Sequence, residues 1–514
     1  MKLKNKTFSS KEPSKGIISL FTACSVFYEA FFEFITLFLL LYVQLASPLI
    51  ESQSSQYRRM LLVITIGLVF VKILVGFGYT VMGNIIDRRV YPLGRYRTFI
   101  LFGSLTTAFF FLLLFFVTPL FGGWVYVCLF LIFYFFTYLA YSANDVAFFS
   151  YLNTFSSDEK KKSLYSSLAN GAGVIGAYLT ASLSPSITAG DAKRNMTVFA
   201  AVLLVLYLSS QLLLAFFMKE REENVRVQDR KESLLSPLKL LFSDRQVLLT
   251  MSVFLLIFIA QDLVIGNGTN YFYYEYGYGN LAASGIDGGF SGGRVSFFFT
   301  LFFGIGNSLS GLLYPLISKK LSKKDILIFF GILISIIYVL LFFFGYRRGY
   351  EYFLFFLSFA LSFVHGIIYT PFFVNCFELR EYYLAKTGED KNASIQGLRC
   401  SLPSIANAVQ VAFFYLFLSS SGLVPANEKI SSFEACFGSD GVCPTLTDVN
   451  LYLQNQVSQA SKNIYLSSMT FLPLLITLVA IVMTLGFVKV NSEKVYSGYV
   501  RTIVEKEAEK SARM

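Results

Sequence analysis

Long apolar runs, each bounded by a short charged or glycine-containing break, repeat along the whole chain of 514 residues. Each run is about 20 residues or longer, the length an α-helix needs to cross the hydrocarbon core of a bilayer. The runs are continuous rather than alternating apolar with polar, so they predict helices and not the strands of a membrane barrel. The pattern divides into about twelve spans, near 16–46, 60–86, 98–120, 123–153, 162–188, 195–218, 246–277, 293–318, 325–345, 350–377, 394–421 and 463–490. The expected fold class is an all-α polytopic membrane protein. Residues 219–245 are highly charged, carry Pro237 near their end, and split the spans six and six. We therefore expect a first six-helix bundle over 1–218, a cytoplasmic linker over 219–245 and a second bundle over 246–490. Residues 422–462 form an external loop and 491–514 a cytoplasmic tail. Two bundles that rock around a central site have the alternating-access geometry of secondary transporters.

Composition agrees: 55% of residues are hydrophobic, 15% are charged, and the mean hydropathy is +0.59. The formal charge of +11 invites a nucleic-acid reading, and its placement argues against one. With the N-terminus inside, one set of loops and tails holds roughly 32 Lys and Arg and the opposite set roughly 9, the asymmetry of the positive-inside rule. Both termini are then cytoplasmic, and no nucleic-acid partner is expected. The N-terminal apolar run is of spanning length and contains Glu29 and Glu33, unlike a removable signal peptide. Cys24, Cys128, Cys376 and Cys400 lie in or at the ends of spans, where a small soft side chain packs well. Cys436 and Cys443 share the external loop and are a candidate disulfide if that side is oxidising. There is no C-x-x-C pair and only one histidine, so no metal site of that kind is expected. The stretch GNLAASGIDGGFSGG (279–293) reads as a flexible external loop. The external loop 422–462 is long enough for a small folded cap or for disorder.

One break is denser than the rest. GNIIDRRVYPLGRYR (83–97) carries five charged residues between two apolar runs. Charge here keeps a two-helix turn out of the bilayer. Gly83 permits close helix approach. Asp87 can accept from a helix N-terminus or pair with arginine, and Arg88, Arg89, Arg95 and Arg97 can hold carboxylates of adjacent spans in bidentate pairs. With Gly94, these residues form a candidate latch that holds one conformation and releases in the other; positive-charge anchoring alone is the plainer alternative. Asp87-Arg88-Arg89 after a glycine, between spans two and three, resembles the motif of the major facilitator superfamily. LGRYRTFILFG is similar, more narrowly, to the glycoside–pentoside–hexuronide:cation symporters, whose type member is melibiose permease. That subfamily reads G-[RK]-[FY]-[RK]-P-W here, whereas this chain continues with Thr98-Phe99. NDVAFFSYLNTFSSDEKKKSLYSS, GNGTNYFYYEYGYGN and NCFELREYY followed by Asn-Ala-Ser-Ile resemble further family segments in order. The resemblance implies a major facilitator fold of 12 transmembrane helices in two six-helix bundles, in a cell membrane.

Charges inside spans are costly and mark pathways. Glu29 and Glu33 lie four apart on one face of span one; Lys72 lies in span two, Asn144 and Asp145 in span four, and Asp262 in span seven. Facing one cavity, the carboxylates can neutralise Lys72 and accept hydrogen bonds from hydroxyl-rich ligands. Phe149, one turn after Asp145, can cover the apolar face of a sugar ring. The resemblance places Glu29 and Asp145 at the family's sugar-holding carboxylates, Phe149 at its aromatic and Lys72 at its basic residue. It also marks departures. The family's cation site needs two aspartates in span two, where this chain has Val75 and Tyr79, neither offering an anionic oxygen to Na⁺. The family's span-five arginine position falls near Ala169 or Asn170, and its span-eleven lysine position near Ile405. Sodium coupling is therefore not expected. Proton coupling through Glu29, Glu33 or Asp145, uniport with Lys72 as the permanent cation, or an unfamiliar substrate remain. Asn170 and Asp262 complete the candidate substrate-binding set. Gln261, Asn267, Asn270, His365 and Arg399 are further polar residues of the second half; His365 reads best as a packing residue and Arg399 as snorkelling to the cytoplasmic face.

The leading reading is a monomeric transporter of a small polar solute, a sugar or glycoside, with no cofactor. The alternatives are a transporter of lysophospholipids or other amphipathic solutes, and a non-transporting sensor on a transporter scaffold. No Ser/His/Asp set, paired metal ligands or phosphate loop stands out, so an enzyme is not expected.

Overall fold

The computed structural model describes residues 8–9, 14–48, 54–88, 91–152, 155, 159–218, 220–221, 236–387, 392–436, 444–489 and 498. Its long helices are α1 Lys15–Leu45, α2 Ser54–Arg88, α3 Arg95–Leu120, α4 Gly123–Leu152, α5 Glu159–Thr188 and α6 Ala192–Phe217. They continue as α7 Arg245–Tyr276, α8 Gly292–Ile317, α9 Lys323–Gly345, α10 Glu351–Thr387 and α11 Asn392–Ser420. Two shorter helices, α12 Val424–Cys436 and α13 Leu446–Gln456, precede α14 Gln459–Phe487. The breaks between apolar runs supply the caps that start helices: Asp191 for α6, Asp244 for α7, Ser291 for α8 and Ser322 for α9 accept from first-turn N–H groups. Among the described residues, 11 helices are long and apolar enough to cross a membrane. The exception is α5, 30 residues long but rich in serine and glycine.

Packing repeats with a shift of six. In the first bundle α1 packs on α5 and α6, α4 on α2 and α3, and α3 on α6; in the second α7 packs on α11 and α14, α10 on α8 and α9, and α9 on α14. The bundles meet through α2 against α11 and α5 against α8. This is the major facilitator fold of two six-helix bundles expected from the sequence.

Two devices set the first bundle. Aromatic rings from α1 and α4 stack in one file: Phe21 on Phe148 (4.3 Å), Phe148 on Tyr28 (4.4 Å), Tyr28 on Tyr141 and Tyr141 on Phe32 (both 5.1 Å). On the other side, α5 approaches α1 so closely that a Cβ at Gly176 would lie 1.9 Å from the Val26 carbonyl oxygen.

The glycine-rich segment 279–293 is not the flexible loop expected from composition. Ile286–Gly288 forms a 3₁₀ turn, Ser284 bridges to Phe290, and the Leu281 N–H donates to the Ser186 carbonyl at 2.8 Å. Its glycines serve close approach: a Cβ at Gly285 would meet the Phe290 carbonyl oxygen at 2.1 Å. The loop between α11 and α14 takes the cap alternative, as α12 and α13. Cys436 is disulfide-bonded; Cys443 lies outside the described residues. Of the linker, Glu220–Arg221 pairs in parallel with Phe8–Ser9 and Ser236–Ser243 is a short helix; residues 222–235 and nearly all of the tail lie outside the described residues.

The close α1–α5 approach gives a direct check. Gly176→Ala should cost roughly 1–3 kcal/mol through overpacking, read as a lower melting temperature of the purified protein. Gly171→Ala on the same helix, where an added Cβ meets nothing within 4 Å, should leave the melting temperature unchanged.

Candidate functional site

The ring file between α1 and α4 carries two acids at its middle. Asp145 projects between Tyr141 and Phe148 in sequence and accepts from the Tyr28 hydroxyl at 2.6 Å, with Tyr79 beside it. Glu29 follows Tyr28, faces α5, where a Cβ at Gly173 would come 2.7 Å from its Cγ, and interacts electrostatically with Asp145. Phe149 sets its edge against Tyr28 at 6.3 Å and 81°. Glu29, Glu33, Asp145, Phe149 and Asp262 are each half-buried. All four acids lie mid-helix and are only partly buried among neighbouring helices.

A second cluster lies at the junction of the bundles. Lys72 of α2 is only 2% exposed. Its ammonium donates to the Thr36 carbonyl at 2.6 Å and to Asn407 Oδ1 of α11. Thr36 lies in the π turn Phe34–Phe38 of α1, where the looser backbone ladder admits an outside donor. Glu33 of α1 and Asp262 of α7 both interact electrostatically with Lys72 and with each other. Ser404 of α11 donates to the Lys72 carbonyl at 2.8 Å. The cluster joins α1 and α2 of one bundle to α7 and α11 of the other. A cavity of only about 20 Å³ opens one to two turns further along, lined by Leu41, Thr269, Asn270, Gln410 and Phe414 among others.

The remaining sequence candidates separate. Asn144 donates to the Tyr207 hydroxyl at 2.6 Å and acts within the first bundle. Asn170 lies on α5, with its side chain outside the described residues. A Cβ at Gly83 would meet Val146 of α4 at an ordinary 3.8 Å, so close approach does not demand glycine there, and Gly94 takes φ 112° at the start of α3. Arg95 is buried and Arg97 half-buried. Arg89 and the side chains of Asp87 and Arg88 lie outside the described residues, so the latch is seen only at its edges. His365 is buried, but among the described residues both ring nitrogens lack a hydrogen-bond partner, so it packs without being satisfied. Arg399 is half-buried, and its charge acts on Asp145 across the bundle junction. Asn267 donates to Ser468 and accepts from Gln410.

Several partners escaped the sequence reading. Tyr178 of α5 accepts from Gln261 of α7 at 3.0 Å and Asn307 of α8 at 2.8 Å, a second polar bridge between bundles. Asn407, Asn307 and Gln410 are neutral amides inside apolar runs, the same signal that singled out Gln261, Asn267 and Asn270, and could have been found by it. Tyr28 and Tyr178 carry no such signal among 32 tyrosines.

On the side of the termini, the second bundle holds its own charged ties. Lys323 pairs with Glu378 at 2.7 Å, and Lys386 with Asp244 at 2.7 Å. Burial works against charge on Asp244, yet Lys386 and the N–H groups of Gln246 and Val247 outweigh it and hold the carboxyl below its usual range. The pair is therefore lost only as pH falls through that lowered value. Between about pH 5 and 8 it should stay intact, and Asp244→Asn should leave the midpoint of any pH–rate profile in that range unmoved. For the junction cluster, Asn407→Leu strands the Lys72 ammonium and should cost roughly 3 kcal/mol, with Lys72→Met in the same chain restoring most of it. Thermal unfolding of the single and double variants checks this; purely additive losses would show that the two residues are not coupled.

Comparison with known proteins fits this geometry. The family described as MFS/sugar transport protein matches residues 23–437. A lactose permease from Lactobacillus helveticus is 26% identical over 212 residues, 38% of this chain and 33% of that protein, so the match spans about a third of that relative's length. A solved D-xylose–proton symporter superposes with TM-score 0.57 at 14% identity, over 87% of this chain and 98% of that one. The nucleoside transporter NupG gives TM-score 0.56 at 10% identity over 91% and 99%. A bacterial homologue of the human lysosomal transporter Spinster gives 0.55 at 11% over 96% and 99%. At these identities the structural likeness is one of fold. With the family match covering most of the chain, the resemblance drawn from residues 83–97 is borne out: the chain belongs to the MFS/sugar transport protein family and is a multi-pass membrane protein of the major facilitator fold.

Proposed function

We propose that this transporter carries a small polyhydroxylated solute, a sugar or glycoside, by alternating access, coupled to protons and not to sodium. The observation that carries the reading is the half-buried pair Glu29 and Asp145, brought together by stacked rings of α1 and α4 beside Phe149. Paired carboxylates accept from neighbouring hydroxyls, and ring faces cover the C–H face of a sugar. Asn170 from α5 and Asp262 from α7 extend the substrate contacts to both bundles. The two units rock about the α2–α11 and α5–α8 contacts, with 219–245 as their tether and the loop 83–97 as a latch on the side of the termini. That side is cytoplasmic by the distribution of Lys and Arg, so the face carrying α12 is external. The protein works as a monomer in a cell membrane, without cofactor, nucleic acid or enzymatic step.

The coupling ion follows from charge. Val75 is 0% and Tyr79 2% exposed, and neither offers an anionic oxygen to Na⁺ at those two positions of α2. Lys72 stands one turn away as a fixed cation. Glu29, Glu33, Asp145 and Asp262 face only Lys72 and Arg399 as positive charges within their electrostatic reach among the described residues. Net negative charge in a low-dielectric interior is relieved most simply by protons.

Uptake of a panel of labelled sugars and lysolipids into proteoliposomes, at imposed pH and Na⁺ gradients, tests both parts. Sugar accumulation should follow an inward proton gradient and ignore Na⁺. Mere equilibration at every pH would assign uniport, and Na⁺-driven accumulation or lysolipid uptake alone would overturn the proposal. Asp145→Asn should weaken sugar binding at least about tenfold, the worth of one charged hydrogen bond, with expression unchanged; unaltered affinity removes Asp145 from the site.

A further inference from the structure

The external loop between α11 and α14 is bonded to the opposite bundle. Arg58, at the start of α2, grips Glu428 of α12 in a two-pronged ion pair, its Nη2 2.9 Å from Oε2. Ser431 of α12 donates to the Gln44 carbonyl at the end of α1 (2.8 Å) and lies 3.3 Å from the Tyr57 hydroxyl. The other end of α12 carries Glu434, only 5% exposed. Its carboxylate accepts from the N–H groups of Gly190 (2.7 Å), Asp191 (3.0 Å) and Ala192 (2.7 Å), where α6 begins, and from the Tyr278 hydroxyl (2.7 Å) of the α7–α8 loop. Asn450 of α13 fixes Tyr278 in turn, accepting from its N–H at 2.7 Å and donating to its carbonyl.

The first N–H groups of a helix have no partner within it and carry its positive end. Glu434 fills that vacancy from the other bundle. A buried carboxylate without a basic partner is tolerable only with such donors, and here every donor is one that water can replace once the contact opens. The tie therefore differs from the apolar packing inside each bundle: parting it strands nothing. The ion pairs Lys323–Glu378 and Lys386–Asp244 on the other face each stay within the second bundle, whereas Glu434, Glu428 and Ser431 all cross between bundles.

We infer that α12 is the outer gate of the transporter and that Glu434 is its bolt, seated in the start of α6 when the external face is closed and withdrawn when the site opens outward. Glu434 is a positioning residue: it acts through the placement of α6 and the α7–α8 loop, away from the solute. α12 hangs from α11 by a turn in which Gly422 takes φ 70°, a hinge about which it can swing.

Spin labels at Lys193→Cys and Ala282→Cys, both exposed, report the distance between the start of α6 and the α7–α8 loop. Measured by pulsed EPR on the full chain in nanodiscs with Cys128→Ser, the wild-type background should give one short, narrow distribution. Glu434→Gln and Glu434→Ala should raise a longer-distance population about tenfold, the loss of one charged hydrogen bond, without collapse of the melting temperature. Tyr278→Phe, which removes one donor and keeps the carboxylate, should move the distribution the same way by less. Unchanged distances in all folded variants, or general unfolding in both Glu434 variants with Tyr278→Phe unmoved, would make Glu434 a structural cap and overturn the gate. The distance does not involve solute or protons, so it stands or falls apart from the sugar reading.

Discussion

An ammonium group placed near the middle of a membrane has to find oxygens to replace its water, and that demand organises the centre of this protein. Lys72 meets it with the Thr36 carbonyl from one helix and the Asn407 amide from the other bundle. The surrounding acids Glu33 and Asp262 come from one bundle each. The two bundles are thus tied by polar bonds where α2 packs on α11, in addition to the packing itself. Such bonds have short range and high directionality, so they set the register of the junction without welding it, which suits the proposed tilting of the two units.

The first bundle shows how the acids are held for use. Stacked rings from α1 and α4 form a continuous wall, and the carboxylates stand at its rim rather than within it. Aromatic stacking is stiff and insensitive to charge, so Glu29 and Asp145 can change partners while their helices stay in place. The glycines of α5 complete the arrangement by letting that helix press directly on α1.

Much of this was legible in the sequence. Uninterrupted apolar runs gave most helix ends within a few residues, since burial and length leave a bilayer-spanning segment little choice; α10 runs ten residues past the expected end at 377, to Thr387, and α2 begins six before 60, at Ser54, both in polar sequence outside the apolar run. Glu29, Glu33, Lys72, Asp145 and Asp262 stood out because a charge in an apolar run is expensive. What stayed hidden depends on tertiary contact. Asn407 is one amide among many polar residues until it meets Lys72. Tyr178 gains meaning only when Gln261 and Asn307 converge on it. The electrostatic link between Arg399 and Asp145 was hidden because depth along its own helix says nothing about the acid opposite. The segment 279–293 was misread because glycine serves both looseness and tight approach, and composition does not separate the two. The reach of α12 across the bundle boundary has no local trace at all.

The makeup of α5 has a consequence for how the chain enters its membrane. Its neighbours are apolar enough to partition into lipid on their own, whereas α5 carries serines and glycines that suit it to lie against α1 and α8. A nascent α5 leaving the translocation machinery alone would gain less from entering lipid than its more apolar neighbours do. It therefore depends on company, α1 already waiting in the bilayer or α6 following behind, so the helix that lets the bundles meet is also the one whose biosynthesis is cooperative.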